Sequence, residues 1–260
     1  MASAPQESSL ENPAPGLVLV GVGPGDPELL TVAAVRAIEA AAVVAYPVAR
    51  EGATGMAAAI AAPWIAPHQR RLPLVFPMVA EAEPRLAAWQ AAAEALAAEV
   101  AAGQAVVLLC EGDVSLFASS SYVLLALRQR HPACPVRLVP GVAAVCAAAA
   151  AASGAGMPWP LALQSEGLWI RPTPEAPAGL EALLACAAAE GSVLALLKLG
   201  HRWSWVRELL AARGLLEAAL FARRVGWPDQ LVAPAAAVPA GEQTYFSLLL
   251  IRQGRPSVLP

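Results

Sequence analysis

A glycine-rich segment after the first apolar stretch constrains the fold more than any other feature of the chain. Residues 17–20 (LVLV) predict a buried strand, and residues 21–26 (GVGPGD) predict a tight turn after it. Asp26 is placed to cap a helix over residues 29–42, with Pro27 at its first position. A strand, a glycine-rich turn and a helix in this order predict an α/β domain with a ligand site at the carboxyl end of the strand.

This turn departs from the dinucleotide-binding pattern G-x-G-x-x-G, because Asp26 stands where the last glycine belongs. Pro24 removes a backbone donor that a pyrophosphate would use. Asp26 and Glu28 place negative charge where phosphates would bind at a helix start. The turn therefore predicts a nucleotide-like ligand that carries no phosphate.

Charge and cysteine usage exclude several classes of function. The 260 residues carry a formal net charge of −3, which does not favour binding to nucleic acid or to anionic membranes. The four cysteines form no C-x-x-C pair and show no metal spacing, which predicts buried, reduced thiols in a cytoplasmic protein. Residues 1–15 show no secretory signal and are predicted to be a disordered lead.

Strand and helix signals alternate through the first half of the chain and predict a mainly parallel sheet. Glycines and a proline at residues 153–158 indicate a boundary between an N-terminal α/β domain over residues 16–153 and a C-terminal domain over residues 158–255. Sequential strand signals at residues 218–225, 230–238 and 244–252 predict antiparallel pairing in that second domain, whose sheet is expected to be mixed. A ligand cleft is expected between two such domains.

Two acidic residues follow the strand predicted at residues 105–109. Glu111 and Asp113 flank Gly112 at a position where parallel sheets bind ligands, so a carboxylate there could accept both hydroxyls of a ribose. The alternative is a solvated turn in which Asp113 caps the next helix. This loop alone does not separate the two interpretations.

A third loop, residues 139–144 (VPGVAA), again joins a strand to a helix of very small residues. Small side chains would let a flat ligand approach the backbone, although tight packing of helix on sheet explains the same residues. Three such loops at three strand ends would converge on one crevice, which favours the functional interpretation.

Basic residues form several local clusters that either bind anions or mark solvated surface. Lys198 follows a buried-looking strand, Arg70 and Arg71 lie in the segment His68-Gln69-Arg70-Arg71, and Arg223 and Arg224 are adjacent. The three histidines are far apart in sequence and predict no metal site, and no G-x-S-x-G, H-E-x-x-H or Walker pattern occurs.

Together the three loops resemble those of the tetrapyrrole methylases, which bind S-adenosylmethionine (SAM) between two α/β domains. The resemblance covers residues 16–251, and residues 21–31 (GVGPGDPELLT) are a strong signature of that family. Residues 72–78, 110–115, 198–200 and 245–248 are most similar to the subgroup that methylates precorrin-2, or its cobalt-containing counterpart cobalt-factor II, at C20. The chain departs from the subgroup pattern at residues 164–175 and 119–121.

The resemblance implies a cytoplasmic homodimer of cobalamin biosynthesis with a tetrapyrrole substrate, no nucleic-acid partner, no membrane partner and no metal of its own. Its implied SAM contacts are Pro24, Glu111, Gly112, Asp113, Leu116, Ala143, Ala144, Leu199 and, more weakly, Ser247.

Methyl transfer from SAM fits the residues independently, because SAM carries a sulfonium, a ribose and an amino acid but no phosphate. The reaction needs no protein nucleophile, and Asp113 is the candidate base for removing a proton from the methylated carbon. The macrocycle carries eight acid groups, so Arg70, Arg71 and Lys198 are the candidate substrate-binding residues. A methylase of the same fold with another substrate and a non-catalytic tetrapyrrole-binding protein remain alternatives.

Overall fold

The computed structural model describes residues 15–254, which form two compact units. The first comprises residues 15–23 and Pro27–Val142, and the second comprises Pro24–Asp26 and residues 143–254. Apart from Pro15, the predicted lead lies outside the described residues, as does the last residue of the predicted C-terminal domain.

The first unit contains strands and helices in the alternating order that the sequence predicts. They are β1 (Gly16–Gly21), α1 (Val32–Ala40), β2 (Val43–Val48), α2 (Met56–Ile60), β3 (Arg70–Val75), α3 (Ala82–Ala101), β4 (Ala105–Cys110), α4 (Ser119–Arg130) and β5 (Val136–Val139). The strands form one sheet in the order β3-β2-β4-β1-β5, and every neighbouring pair is parallel. Its central strands are apolar and largely buried along their length, the pattern typical of parallel sheets.

Three elements of the first unit differ from the sequence prediction, and one of them is the five-residue helix α2, which the sequence does not predict. The helix after the glycine-rich turn begins at Val32 rather than Leu29, and the hydroxyl of Thr31 caps it by accepting from the backbone N–H of Ala34 at 3.1 Å. The prediction that Asp26 caps this helix is therefore wrong, since a short 3-10 helix (Pro27–Leu29) intervenes. The sequence also does not predict β3, because its two arginines and Pro73 are untypical of a strand; an edge strand tolerates them.

The second unit contains α5 (Ala144–Gly154), β6 (Leu168–Pro172), α6 (Pro177–Ala189), β7 (Val193–Leu197), α7 (Trp203–Ala212), β8 (Ala219–Arg223), β9 (Leu231–Pro234) and β10 (Ser247–Ile251). Its sheet has the order β6-β7-β10-β8-β9. The β6–β7 pair is parallel and the other pairs are antiparallel, so the sheet is mixed. Helix α5 belongs to this unit because it packs against β9.

The core of the second unit is built around Trp203 and Phe221, whose ring centroids lie 5.1 Å apart. Both side chains are fully buried, and the indole N–H of Trp203 donates to the carbonyl of Pro239 at 2.9 Å. This bond satisfies the polar end of a ring that otherwise contributes apolar surface.

The predicted fold class is confirmed: an α/β chain with a parallel N-terminal sheet and a mixed C-terminal sheet. Among residues 15–254, no helix has both the length and the apolar character needed to span a bilayer. Within the same range, no group of three histidine, cysteine or acidic side chains is arranged to hold a metal ion.

Candidate functional site

The carboxyl ends of β1, β4 and β5 lie side by side at one edge of the first sheet. In the parallel register Gly21 is paired with Cys110, and Val20 is paired with Val139. The loops that follow these strands therefore leave the sheet together, and their predicted convergence is confirmed. This is the edge at which parallel sheets bind ligands.

Three glycines, one from each loop, bring the loop backbones into direct contact. A Cβ atom added to Gly141 would lie 2.1 Å from the carbonyl oxygen of Gly112, and one added to Gly21 would lie 2.6 Å from the nitrogen of Gly141. Gly21 and Gly141 are therefore small because backbone packs on backbone, rather than because a ligand approaches them. Gly112 differs, since apart from its two chain neighbours no described residue has an atom within 4 Å of its Cβ position, and that side is open.

Gly23 and Gly112 form a short antiparallel bridge that fixes the acidic loop against the first turn. The backbone N–H of Gly112 donates to the carbonyl of Gly23 at 2.8 Å, and the backbone N–H of Gly23 donates to the carbonyl of Gly112 at 3.2 Å. Both residues have positive φ, 76° and 67° respectively, which L-residues with side chains rarely adopt.

Asp113 joins the β4 loop to the β5 loop. Its Oδ2 accepts the backbone N–H of Gly141 at 2.9 Å, and its Oδ1 accepts the backbone N–H of Ser115 at 2.9 Å and the Ser115 hydroxyl. Helix α4 begins only at Ser119, with Ala118 as its N-cap residue, so the alternative in which Asp113 caps that helix is wrong.

These hydrogen bonds decide the charge state of Asp113. Burial by itself would raise its pKa, but the bonds from Ser115 and Gly141 hold the pKa below its usual range. Asp113 is therefore a carboxylate at neutral pH, suited to accepting hydrogen bonds and to stabilising positive charge.

Glu111 has the opposite electrostatic character. Its Oε1 accepts the backbone N–H of Ala57 at 3.2 Å, and burial raises its pKa above the usual range. Two carboxyl groups at one strand end thus have pKa values displaced in opposite directions. Such pairs are typical of sites where one acid is held ionised and the other exchanges a proton more readily.

We expect Glu111→Gln to stabilise the protein at pH 8 relative to wild type. The buried carboxyl favours its protonated form in the folded state, so this contribution to stability is present below the unfolded pKa and is lost as pH rises through the raised folded pKa. Glutamine stays neutral and still offers an oxygen to Ala57. The melting temperatures of the two proteins should therefore differ more at pH 8 than at pH 4.

Glu190→Gln, at an exposed position, controls for the loss of one charge. If the difference in melting temperature between Glu111→Gln and wild type were the same at pH 4 and pH 8, burial of the Glu111 carboxylate would carry no cost.

Cys110, the last residue of β4, is unsuited to covalent catalysis. Burial raises the pKa of its thiol to about 12, so the reactive thiolate is not populated at neutral pH. This agrees with a reaction that needs no protein nucleophile.

The loop after Asp113 exposes an aromatic side chain in strained backbone. Leu116 is half-buried, whereas Phe117 is 44% exposed and has a φ of 54°. The hydroxyl of Ser121 donates to the carbonyl of Val114 at 3.0 Å and fixes the loop on the start of α4. Strain of this kind persists where the surrounding structure holds it, often at binding sites.

In the second unit, Trp227 holds the Pro24–Asp26 turn. Its indole N–H donates to the carbonyl of Pro24 at 2.9 Å, and a Cβ atom on Gly25 would lie 2.4 Å from its ring. The Arg224 guanidinium stacks 4.6 Å from the centroid of the Trp227 ring, and its Nε donates to Asp229 at 2.7 Å. Sequence analysis missed Trp227, although an aromatic residue inside the turn sequence GWPD is a usable signal.

Lys198, Leu199 and Ser247 meet at one end of the mixed sheet. The nitrogen of Leu199 donates to the Ser247 carbonyl at 3.1 Å, and the nitrogen of Gly200 donates to the buried Ser247 hydroxyl at 3.2 Å. Lys198 has a φ of 60°, and its ammonium lies 5.7 Å from the centroid of the Tyr245 ring. The structure thus brings these three predicted residues together.

Ala143 and Ala144 start helix α5. Ala143 is its N-cap residue, and its carbonyl accepts the backbone N–H groups of Cys146 at 3.0 Å and Ala147 at 3.1 Å. Because alanine offers no side-chain cap, backbone donors at this helix start are left for other partners.

Arg70 and Arg71 are not brought together with the other candidates of the first unit. They begin β3, and Arg70 is paired with Val43 at the start of β2, so both lie at the amino edge of the sheet. The Arg70 guanidinium forms an ion pair with Glu99 of α3. The strand length separates them from the loops at the carboxyl edge, which speaks against contact with a ligand held there.

The chain is similar to known proteins in both sequence and fold. Residues 16–237 match the family of tetrapyrrole (corrin/porphyrin) methylases. The chain is 34% identical over 243 residues to precorrin-2 C(20)-methyltransferase of Sinorhizobium sp, with 90% of this chain and 94% of that protein covered. It is 31% identical to cobalt-precorrin-2 C(20)-methyltransferase of Salmonella typhimurium, with 92% and 91% covered.

A longer relative is the cobalamin biosynthesis protein CobIJ of Mycobacterium tuberculosis, at 37% identity over 248 residues. The match covers 92% of this chain but 46% of CobIJ, so the chain spans about half the length of that relative. Among solved structures, cobalt precorrin-4 methyltransferase CbiF superposes with a TM-score of 0.65 at 20% identity, covering 91% of this chain and 94% of CbiF.

A uroporphyrin-III C-methyltransferase from Thermus thermophilus, solved in complex with S-adenosylhomocysteine, gives a TM-score of 0.59 at 22% identity, with 92% of this chain and 97% of that chain covered. Both structural matches support the shared fold.

Proposed function

The chain belongs to the tetrapyrrole (corrin/porphyrin) methylase family, and we propose that it transfers a methyl group from SAM to C20 of precorrin-2, giving precorrin-3A in cobalamin biosynthesis. The observation that carries this proposal is the carboxyl edge of the first sheet, where Gly112 leaves an open side between Glu111 and Asp113. An acidic edge without a phosphate-binding turn matches a ligand that is cationic and carries no phosphate.

The chemistry of this edge fits SAM. The Asp113 carboxylate is held ionised and half-buried, which favours the positive sulfonium and the ribose hydroxyls of SAM. Oδ1 of Asp113 already accepts two donors of Ser115, whereas Oδ2 accepts one and retains a lone pair for a ligand. In the first unit, the proposed SAM contacts are Glu111, Gly112, Asp113 and Leu116.

The second unit contributes proposed contacts at two places. Trp227 fixes the turn that contains Pro24, and the bonds of Ser247 fix the backbone at Leu199. The proposed SAM contacts of this unit are Pro24, Ala143, Ala144, Leu199 and Ser247.

When bound, SAM supplies an electrophilic methyl group and leaves as neutral S-adenosylhomocysteine. The residues of this chain then have to position an electron-rich carbon in line with that methyl group and keep water away. Lys198 is proposed to bind a carboxylate of the macrocycle. That Arg70 and Arg71 bind the substrate stays a prediction, and their position at the amino edge of the sheet does not favour it.

One proton must leave the methylated carbon, and the two carboxyl groups differ in their suitability to accept it. The hydrogen bonds that lower the pKa of Asp113 make it a weak base, whereas the raised pKa of Glu111 makes that carboxylate the stronger one. The base role of Asp113 stays a prediction, and its bonds to Ser115 and Gly141 add a positioning role.

We also propose that the enzyme is a cytoplasmic homodimer. All four cysteines are free thiols, which supports a reducing compartment, although Cys146 and Cys186 are exposed rather than buried as predicted. The dimer rests on resemblance to the family alone, and light scattering on the purified protein measures it directly.

Anaerobic incubation with SAM and either precorrin-2 or cobalt-factor II tests the proposed reaction. We expect mass spectrometry to show a product one methyl group heavier than the tetrapyrrole, with an equivalent amount of S-adenosylhomocysteine. The two arms decide whether the substrate is metal-free or contains cobalt. A protein that binds SAM but methylates neither compound would be a methylase with another substrate, and one that binds tetrapyrrole without SAM would be non-catalytic.

We predict that calorimetry detects binding of SAM and S-adenosylhomocysteine but not of NAD. Pro24 removes one donor that a pyrophosphate needs, and Asp26 and Glu28 place negative charge beside the same turn. Tight binding of NAD together with no binding of SAM would overturn the assignment of the glycine-rich turn.

A further inference from the structure

Arg223 lies at the same end of the mixed sheet as the two predicted contact residues Lys198 and Ser247. It is the last residue of β8 and is paired with Ser247 at the start of β10. On the other side of β10, Leu248 is paired with Leu197, the residue before Lys198. Because β10 lies between β7 and β8, Lys198 lies on one side of Ser247 and Arg223 on the other.

The guanidinium of Arg223 is poorly satisfied. Its Nε is buried and has no hydrogen-bond partner among residues 15–254, and its Nη1 reaches the Gln243 amide oxygen only at 3.5 Å. Asp229 lies close enough for the charge of Arg223 to lower its pKa, but the carboxylate of Asp229 is hydrogen-bonded to Arg224.

Five other arginines among residues 143–254 are satisfied by acceptors of the protein itself. Ion pairs with carboxylates hold four of them: Arg202, Arg213, Arg224 and Arg252. Arg207 donates to the carbonyls of Val238 and Ala236. A half-buried guanidinium with an orphaned Nε is costly for the folded state, and an anionic ligand would remove that cost.

Lys198 makes a second cation available at this end of the sheet. Within the described part of the chain, its ammonium forms no ion pair with a carboxylate and lies over the Tyr245 ring. Arg and Lys together can hold a carboxylate through charge-assisted hydrogen bonds.

We propose that Arg223, together with Lys198, forms a subsite that binds a carboxylate of the acidic macrocycle. The proposal rests on the proposed function, because that function supplies a substrate with many acid groups. A carboxylate of SAM has the same chemistry, so the experiment has to separate the two sources.

The test compares Arg223→Met, which keeps the apolar stem, and Arg223→Lys, which keeps the charge, with wild type. Absorbance titration gives Kd for precorrin-2 without SAM, and calorimetry gives Kd for SAM. We expect Arg223→Met to weaken precorrin-2 binding by about 10- to 100-fold, the scale of a charge-assisted hydrogen bond, while Kd for SAM stays within about twofold. Arg223→Lys should recover part of the loss.

The melting temperature separates a ligand-binding role from a structural one. Removing an unsatisfied buried donor should leave the temperature of the ligand-free protein unchanged or raised. Arg213→Met, which removes an exposed arginine paired with Glu181, is the matched control and should leave both Kd values unchanged.

Unchanged precorrin-2 affinity in Arg223→Met, or an equal loss of SAM affinity, would overturn the proposed subsite. Failure of the proposed function is recognised separately, because wild type would then give no methylated product. In that case the same variants are titrated with uroporphyrin III, a macrocycle with eight carboxylates whose binding can be measured without any reaction. Wild type that binds neither macrocycle overturns the subsite as well.

Discussion

Gly141→Ala is expected to destabilise the protein by about 3 kcal/mol, the upper end of the usual cost of overpacking, and to abolish SAM binding at ordinary temperature. The added Cβ atom would lie 2.1 Å from the Gly112 carbonyl oxygen and 2.7 Å from the Gly21 carbonyl carbon. Both neighbours are backbone atoms at strand ends, so neither can move without disturbing β1 or β4. Urea unfolding followed by circular dichroism measures the free energy of unfolding.

Gly154→Ala is the matched control for this substitution. Gly154 is the last residue of α5, and apart from its chain neighbours and the backbone of α5 no described residue has an atom within 4 Å of its Cβ position. Alanine there should leave stability unchanged or raise it by up to about 1 kcal/mol. If Gly141→Ala were as mild as Gly154→Ala, the three loops would not pack as tightly as the structure shows.

Asp113→Ala is expected to weaken SAM binding by about 1.5–3 kcal/mol, the scale of a hydrogen bond to a charged group. The substitution removes an acceptor that SAM can use and also releases the Gly141 N–H from the Asp113 carboxylate. The β4 and β5 loops then lose their side-chain link. Calorimetric titration with SAM at constant pH gives the change in binding free energy.

Asp113→Asn separates the charge from the link between the loops. An asparagine oxygen can accept from Ser115 or Gly141, but its amide then meets another donor, so half of the link is lost. We expect its SAM affinity to lie between those of wild type and Asp113→Ala. Wild-type affinity in the folded alanine variant would reduce Asp113 to a structural residue of the turn.

Much of the fold can be predicted from the sequence because its apolar runs alternate with helical segments. The buried strands β1 and β4 carry strong local signals: they are predicted at residues 17–20 and 105–109 and observed at Gly16–Gly21 and Ala105–Cys110. The edge strand β3 escapes prediction because an edge position tolerates Pro73 and two arginines. Its place in the sheet is decided by pairing with β2, which is a long-range property.

The candidate site likewise contains features that local sequence predicts and features that depend on long-range contacts. The acidic loop is visible in sequence because Glu111, Gly112 and Asp113 directly follow an apolar strand. The hydrogen bond from the Trp227 indole to the Pro24 carbonyl joins residues separated by 203 positions, and no local pattern predicts such a contact. The position of Arg70 shows the converse: a dense basic cluster is conspicuous in sequence but lies at the opposite edge of the sheet.

The most direct test of the proposed reaction is carbon-13 NMR of the tetrapyrrole product made with SAM labelled in its methyl group. We predict a single new labelled methyl signal bonded to C20 of the macrocycle, formed in step with S-adenosylhomocysteine and lost when SAM is omitted. A labelled methyl at any other carbon would contradict the proposed position of methylation. If precorrin-2 and cobalt-factor II were both recovered without label after incubation with enzyme and labelled SAM, the proposed reaction itself would be contradicted.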